Sequence, residues 1–359
     1  MDINNKQINK VKLTVTTQCN LYCDYCFVNK TNSVMNFQTA KYAIGALLKS
    51  KGRDKLLSLY GGEPLLNFEL IKKICPYATN LAKKFNKKLD ISICTNGTLL
   101  TKKHLSFFRD FNVKLIISLV GKDIYHDRFR KFKFNKNTYK TIYGNLQLVF
   151  KVIPRENLGV SFCIFPSLID KIEENFSHLV DLGFTYINFE IIREYQHWTS
   201  DITDKFSLTL GRILNFIIKN IPQKRFIYLN PINWEIKHSI ISRYLKGDCL
   251  FAYSLEVYPK GELAFSPFLL NAIGKKKYII GNIGLSLSRF KDCKFHPNSE
   301  LCKECESLYH RGYKTDRFAN DAYSIYRNLC LKAANTIVSH RKEKYFQEYI
   351  DQIKRKVCF

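Results

Sequence analysis

The segment Cys19-Asn20-Leu21-Tyr22-Cys23-Asp24-Tyr25-Cys26 carries three cysteines at C-x3-C-x2-C spacing. Thiolates are soft ligands suited to zinc or to iron–sulfur clusters. Three of them on one short loop can hold three irons of a cubane [4Fe–4S] cluster, which leaves the fourth iron open to another ligand. A structural zinc site wants four ligands, commonly as two separated pairs. Both readings stay open on spacing, and the missing fourth ligand favours iron–sulfur. A second feature is Gly61-Gly62-Glu63-Pro64. Its glycines permit positive φ and close backbone approach to a ligand. Exposed backbone groups there, with the Glu63 carboxylate, suit a cationic amino group, although the tripeptide alone is a common turn.

These residues need a scaffold, and the hydrophobic pattern supplies one. Apolar, β-branched runs at Val11–Thr16, Leu56–Tyr60, Leu89–Cys94, Val113–Leu119, Gly159–Phe165 and Tyr186–Ile192 read as strands. Helical patterns fall between them at Asn36–Lys51, Asn67–Phe85, Thr101–Phe111, Thr138–Val152 and Ser167–Leu182. Strands alternating with helices predict a parallel sheet with right-handed crossovers. Six such units are too few to close an eight-stranded barrel. Each chemical motif follows the end of a strand, where α/β barrels place their chemistry.

Four motifs in order resemble the radical S-adenosylmethionine (radical SAM) superfamily. They are the cysteine loop with Tyr25 before its last cysteine, Gly61-Gly62-Glu63-Pro64, Thr95-Asn96-Gly97-Thr98, and Ser118-Leu119-Val120-Gly121 followed by His126-Asp127-Arg128-Phe129-Arg130. The last is similar to the "SxDG…HDxxR" of the peptide-modifying branch, with Val120 where that pattern has aspartate. The resemblance covers roughly residues 9–195. It implies an α/β partial (β/α)6 TIM-like barrel. It also implies that Cys19, Cys23 and Cys26 ligate a [4Fe–4S] cluster whose open iron binds S-adenosylmethionine. Tyr25, Gly61, Gly62, Glu63, Pro64, Asn96, Ser118 and Arg130 then form the S-adenosylmethionine pocket. Ser118 would meet the ribose, and Arg130 the methionine carboxylate, which a guanidinium reads bidentately.

Beyond the barrel, Leu208–Ile221 has helical spacing, and residues 196–246 read as a helical linker. From Cys249 the chain resembles the SPASM extension or its shorter relative, twitch, which carry auxiliary clusters. Leu255–Pro259 and Gly261–Phe265 read as a β-hairpin, and Gly281-Asn282-Ile283-Gly284 matches the "GNI" segment. A full SPASM unit has cysteines where this chain has Ser266, Arg311 and Thr315. Cys249, Cys302, Cys305, Cys330 and the off-pattern Cys293 remain. They allow one auxiliary cluster, or a zinc, rather than two clusters. The domains expected are therefore a radical SAM core (1–195), the linker (196–246), and a SPASM/twitch-like domain with a C-terminal helix (247–359).

Composition agrees with a two-part enzyme. The chain has 359 residues, 46 % of them apolar, enough for a large core. No apolar stretch approaches the 18 or so residues of a membrane span, and the start is polar. Twelve cysteines without a secretion signal point to a reducing compartment, so the cytoplasm is expected. The net charge of +26 is spread along the chain. It reads as a solvated lysine-rich surface or as a field for an acidic partner. The run Arg128–Lys136 mixes cations with aromatics and could grip a peptide or stacked bases. The expected activity is reductive cleavage of S-adenosylmethionine to a 5′-deoxyadenosyl radical, which then modifies a peptide or protein. A ribosomally made precursor peptide is the favoured substrate. A reductase, flavodoxin or ferredoxin would donate the electron. Sulfatase maturation is disfavoured, because Ser266-Pro267 stands where those enzymes have a Cys-Asp pair. Nucleic-acid modification, or a non-catalytic iron–sulfur peptide-binding protein, are the other readings.

Overall fold

A computed structural model describes residues 8–192, 197–230, 232–233, 235–236, 254–264, 281–283 and 317–355. They divide into two compact units. The first is Met1–Ile116, Lys131–Asn157 and Gly247–Cys302; the second is Ile117–Arg130, Leu158–Lys246 and Lys303–Phe359.

In the first unit β1 (Lys10–Thr16), β2 (Asp54–Gly61) and β3 (Lys88–Thr95) run parallel and adjacent. On one face of β1 and β2, Val11, Leu13, Val15, Leu57 and Leu59 are fully buried, and α1 (Phe37–Lys49) and α2 (Phe68–Lys84) are the crossovers that follow. The register sets Lys12 opposite Ser58, Thr14 opposite Tyr60, and Ser58 opposite Ser92, so the other face is polar. Asn36 caps α1 by accepting the Thr39 N–H at 2.8 Å, and Thr101 forms a capping box with His104 at the start of α3 (Lys102–Asp110). The unit also holds α5 (Tyr139–Val152).

The hairpin expected after Cys249 forms as β8 (Ser254–Val257) and β9 (Glu262–Ala264). Its β8 pairs in parallel with β1, Lys12 opposite Glu256, so the hairpin extends the core sheet. Gly261 at its turn has φ +89°, a left-handed value that favours glycine. A Cβ there would come 2.8 Å from the Asn282 side chain. Asn282 belongs to the "GNI" segment, which pairs with β9 as β10 (Gly281–Asn282).

β4 (Lys114–Leu119) crosses the boundary between the units. In the second unit α4 (Asp123–Phe129) follows it; this short helix lay hidden in a polar, basic stretch of sequence. β5 (Leu158–Ile164), β6 (Tyr186–Ile191) and β7 (Tyr228–Leu229) are parallel neighbours. α6 (Ile172–Asp181) is preceded by a 3-10 segment at Pro166–Lys171. α7 (Ser200–Asn220) starts well before Leu208, because Thr199 caps it with its hydroxyl and its first turns are polar. α8 (Arg317–Ser339) and α9 (Lys344–Arg355) follow. Phe189 of β6 and Tyr326 of α8 stack at 5.9 Å. Among the described residues no helix is long and apolar enough to cross a membrane.

Candidate active site

β1 ends at Thr16, and the chain enters the cysteine loop through Thr17 and Gln18. The Thr17 hydroxyl lies 2.8 Å from the Thr31 hydroxyl, and the Thr17 N–H donates to Ser33 O at 2.9 Å, so the two feet of the loop are tied together. Within the loop, Cys26 N–H donates to Cys23 O at 3.1 Å, and Lys30 Nζ donates to Leu21 O at 2.7 Å. Cys19, Cys23 and Cys26 are half-buried thiols outside any disulfide. Leu21 N–H points at the Cys19 sulfur at 3.4 Å. Burial pushes the Cys19 thiol up to about 11; the nearby Glu63 and Cys23 add to this, and Leu21 N–H and Lys30 oppose it. Tyr25 is half-buried on the same loop.

The glycine loop after β2 packs on the entry to the cysteine loop. Gly62 N–H donates to Thr16 O at 2.9 Å and Glu63 N–H to Gln18 O at 2.8 Å. A Cβ on Gly61 would lie 2.1 Å from Thr16 O, and one on Gly62 2.2 Å from Gln18 O. The glycines therefore serve the approach of two protein segments. The expectation of exposed backbone groups fails for these N–H donors, which are spent inside the protein. Pro64 is buried and opens a short 3-10 turn.

Glu63 is fully buried. Its Oε1 accepts from the Thr95 hydroxyl at 2.7 Å and from Leu65 N–H at 3.1 Å, and its Oε2 from Asn96 N–H at 2.7 Å. The carboxylate thus clamps the loop after β3 to the loop after β2. Asn96 turns toward the cysteines: its Nδ2 donates to Asn20 Oδ1 at 2.9 Å, and Asn20 Nδ2 donates to the Thr98 hydroxyl at 2.8 Å. Thr98 closes the ring by donating to Asn96 Oδ1, through its N–H at 2.9 Å and its hydroxyl at 2.6 Å. Asn145 of α5 then holds the carbonyl of Gly97 at 2.9 Å. The sequence places Asn20, Thr95 and Thr98 inside motifs without assigning them a contact, and gives no sign of Asn145 on α5, because hydrogen bonds between distant loops leave no local pattern. Another missed feature lies on the polar face. Lys12 Nζ is 3.2 Å from Glu256 Oε1 and 3.8 Å from the Tyr60 ring centroid. Burial holds the Glu256 carboxyl above the usual range, against the pull of Lys12.

The second unit gathers the remaining pocket candidates. Ser118 is half-buried on β4. Gly121 has φ +121°, and a Cβ there would meet Asn175 Oδ1 at 2.1 Å; that oxygen accepts from Lys122 N–H at 3.0 Å. Arg130 ends α4, buried, and donates its backbone N–H to His126 O at 3.1 Å. His126 is wholly buried, and burial, then the Arg130 charge, hold its imidazole well below the usual range. Val120, in the position of the family's aspartate, is buried. Cys330 sits buried in α8, where burial and the Glu235 carboxylate push its thiol far up. Cys249, Cys293, Cys302 and Cys305 lie outside the described residues.

The donor set of the cysteine loop fits an iron–sulfur cluster. It offers three thiols on one tied loop, with a backbone N–H already aimed at one sulfur, as cluster sulfurs receive. Ligation deprotonates such thiols, reversing the penalty at Cys19. Among the described residues no three His, Cys, Asp or Glu side chains gather to hold a single metal ion.

Comparison with known proteins agrees with this geometry. The sequence profile described as the radical SAM superfamily matches residues 13–165. An uncharacterised protein of Methanocaldococcus jannaschii is 33 % identical over 228 residues, covering 61 % of this chain and 77 % of that protein. The chain belongs to the radical SAM superfamily. A probable GTP 3′,8-cyclase of the same organism is 32 % identical over 308 residues, 84 % of this chain and 82 % of that protein. The radical SAM cyclopropyl synthase TigE of Paramaledivibacter caminithermalis is 29 % identical over 131 residues, 32 % of this chain and 27 % of TigE. Among solved structures, native anSMEcpe with bound AdoMet and Cp18Cys peptide superposes with a TM-score of 0.71 at 17 % identity, covering 92 % of this chain and 99 % of that one. That likeness establishes the fold, the α/β partial barrel of the family. As a radical SAM protein the chain is an enzyme, and its cofactors are a [4Fe–4S] cluster and S-adenosylmethionine.

Proposed function

We propose that this enzyme cleaves S-adenosylmethionine reductively and modifies a peptide or protein, by preference a ribosomally made precursor peptide, in the cytoplasm. The observation that carries the reading is the cross-tied constellation of the first unit. There, Gly61–Glu63 and Thr95–Thr98 brace the loop bearing Cys19, Cys23 and Cys26. When bound, the cluster supplies one electron and S-adenosylmethionine the 5′-deoxyadenosyl group that abstracts hydrogen.

This chain's residues do the rest. Cys19, Cys23 and Cys26 ligate three irons. Glu63 and Asn96 hold three loops of the first unit in one arrangement, which orders the cysteine loop before the cofactor arrives. Tyr25, Gly61, Gly62 and Pro64 shape its wall, Ser118 meets the ribose, and Arg130 pairs with the methionine carboxylate. Residues 1–195 form the core, 196–246 the linker, and 247–359 a SPASM/twitch-like part. Cys249, Cys302, Cys305 and either Cys293 or Cys330 hold one auxiliary cluster there. That extension and the peptide-bound anSMEcpe structure support the peptide reading.

The test is 5′-deoxyadenosine formation by the reconstituted enzyme with dithionite. Wild type should form it, and the Cys19/Cys23/Cys26→Ala variant should not. A second reading, a nucleotide substrate, is favoured by the cyclase that this chain matches over 82 % of its length. Deuterium transfer from labelled GTP into 5′-deoxyadenosine would establish that reading and remove the peptide one.

A further inference from the structure

Residues 131–137 form a small hairpin against the cysteine loop. Lys131 O accepts the Tyr22 N–H at 2.8 Å, and Leu21 and Phe132 form an antiparallel bridge. A bridge between Lys131 and Asn137 and the Phe132 N–H to Lys136 O bond at 2.9 Å close the hairpin. Its two tip residues are both left-handed, Phe134 at φ 60° and Asn135 at φ 57°. A two-residue turn of that kind favours Asn-Gly, and a bulky residue in it is strained. Here the strained residue is a phenylalanine 82 % exposed. Tyr22, on the cysteine loop, is 51 % exposed. Packing inside the protein does not explain an aromatic ring held outward at a backbone cost, and such strain clusters at functional positions.

The stretch of chain that carries the tip is basic. From Arg128 to Arg155 the sequence has eight Lys or Arg residues and no Asp or Glu. Lys133 and Lys136 are exposed at the tip, and Lys133 Nζ lies 5.2 Å from the Phe134 ring centroid.

We propose that the hairpin 131–137, with Tyr22 beside it, is the docking point for an acidic one-electron carrier protein that reduces the cluster on the cysteine loop. This rests on the radical SAM reading of Cys19, Cys23 and Cys26. Only one hydrogen bond separates the hairpin backbone from Tyr22, the residue preceding Cys23. An electron arriving there is therefore close, through bonds, to a cluster ligand. In the step, the carrier's reduced cofactor loses one electron and the cluster gains it; no bond forms or breaks and no proton moves. Electron-transfer encounters use small interfaces, and a hairpin tip is of that size. Opposite charge steers such encounters and fails at high salt.

The test uses the reconstituted enzyme and reduced flavodoxin. Lys133→Glu/Lys136→Glu should slow flavodoxin-driven 5′-deoxyadenosine formation about tenfold or more and leave dithionite-driven formation unchanged. Flavodoxin binding, measured by titration without turnover, should weaken in the same variant. In wild type it should weaken as salt rises from about 0.05 to about 0.3 M. Phe134→Asn relieves the left-handed strain, so it should fold at least as stably while losing flavodoxin-driven rate. Equal losses with both reductants would overturn the proposal and point to a substrate dock. So would unchanged flavodoxin kinetics and binding in both variants. Absence of deoxyadenosine from wild type with dithionite would instead sink the underlying reading of the cysteines.

Discussion

Glu63 shows how a residue's type can be read correctly while its partners are missed. A glutamate after two glycines suggests a hand held out to an amino group. The structure turns that carboxylate inward, onto Thr95, Asn96 and Leu65. Glu63→Ala should therefore lower stability by about 3 kcal/mol, since buried donors lose a charged acceptor, and weaken S-adenosylmethionine binding as a consequence. Arg130→Ala should weaken that binding by about 1.5–3 kcal/mol, the worth of a charge-assisted pair. Equilibrium titration with S-adenosylmethionine and urea unfolding of both variants check the two. An unchanged binding constant in Arg130→Ala would remove it from the pocket. His126 adds a pH dependence. Its folded imidazole stays neutral well below the usual range, while the unfolded chain takes up the proton near pH 6.5. Stability is thus intact above about pH 6.5 and falls by up to about 1.4 kcal/mol per pH unit below it. His126→Gln should flatten that slope in urea unfolding between about pH 7.5 and 5.5.

Loops, rather than strands, carry the decisive contacts between elements. The three strand-end loops of the first unit are held by the Gly62–Thr16, Glu63–Asn96 and Asn96–Asn20 bonds. Asn20→Ala should free the cysteine loop from the loop after β3. We expect faster amide hydrogen exchange confined to residues 17–26 and 95–98, with the strands unaffected. Exchange unchanged at those amides would mean that the Asn20–Asn96–Thr98 ring has no bracing role. The strands and most helices were legible in the sequence, because their periods of alternation are strong. α4 and the first half of α7 were not, because polar first turns mask the apolar stripe. The hairpin β8–β9 was legible as a hairpin, but its parallel pairing with β1 was not. Nothing local in Ser254–Val257 says which edge it will extend.

At the scale of the whole molecule, thiol supply limits the metal content. Ser266, Arg311 and Thr315 remove three ligands of a two-cluster extension. Anaerobic reconstitution should load about eight irons per chain, four per cubane, and the Cys19/Cys23/Cys26→Ala variant should retain about four. Iron analysis that finds none in that variant, with zinc in its place, would assign the C-terminal cysteines to a structural site. Cys330 is the candidate most in need of this test, since its buried thiol resists ionisation unless a metal binds it.

The sequence by itself determined the chemistry on offer. Three thiols at that spacing, a glycine pair and an asparagine turn, each after an apolar run, are local patterns, and local patterns survive in a linear text. It also determined the alternation of strand and helix, through periods that neighbouring residues express. Tertiary structure alone decided which of those groups meet each other. It made Glu63 a brace between two loops, and it set residues 131–137 beside the cysteine loop. Those outcomes depend on pairs far apart in the chain, whose hydrogen bonds and close approaches exist only once the sheet has brought the loops together.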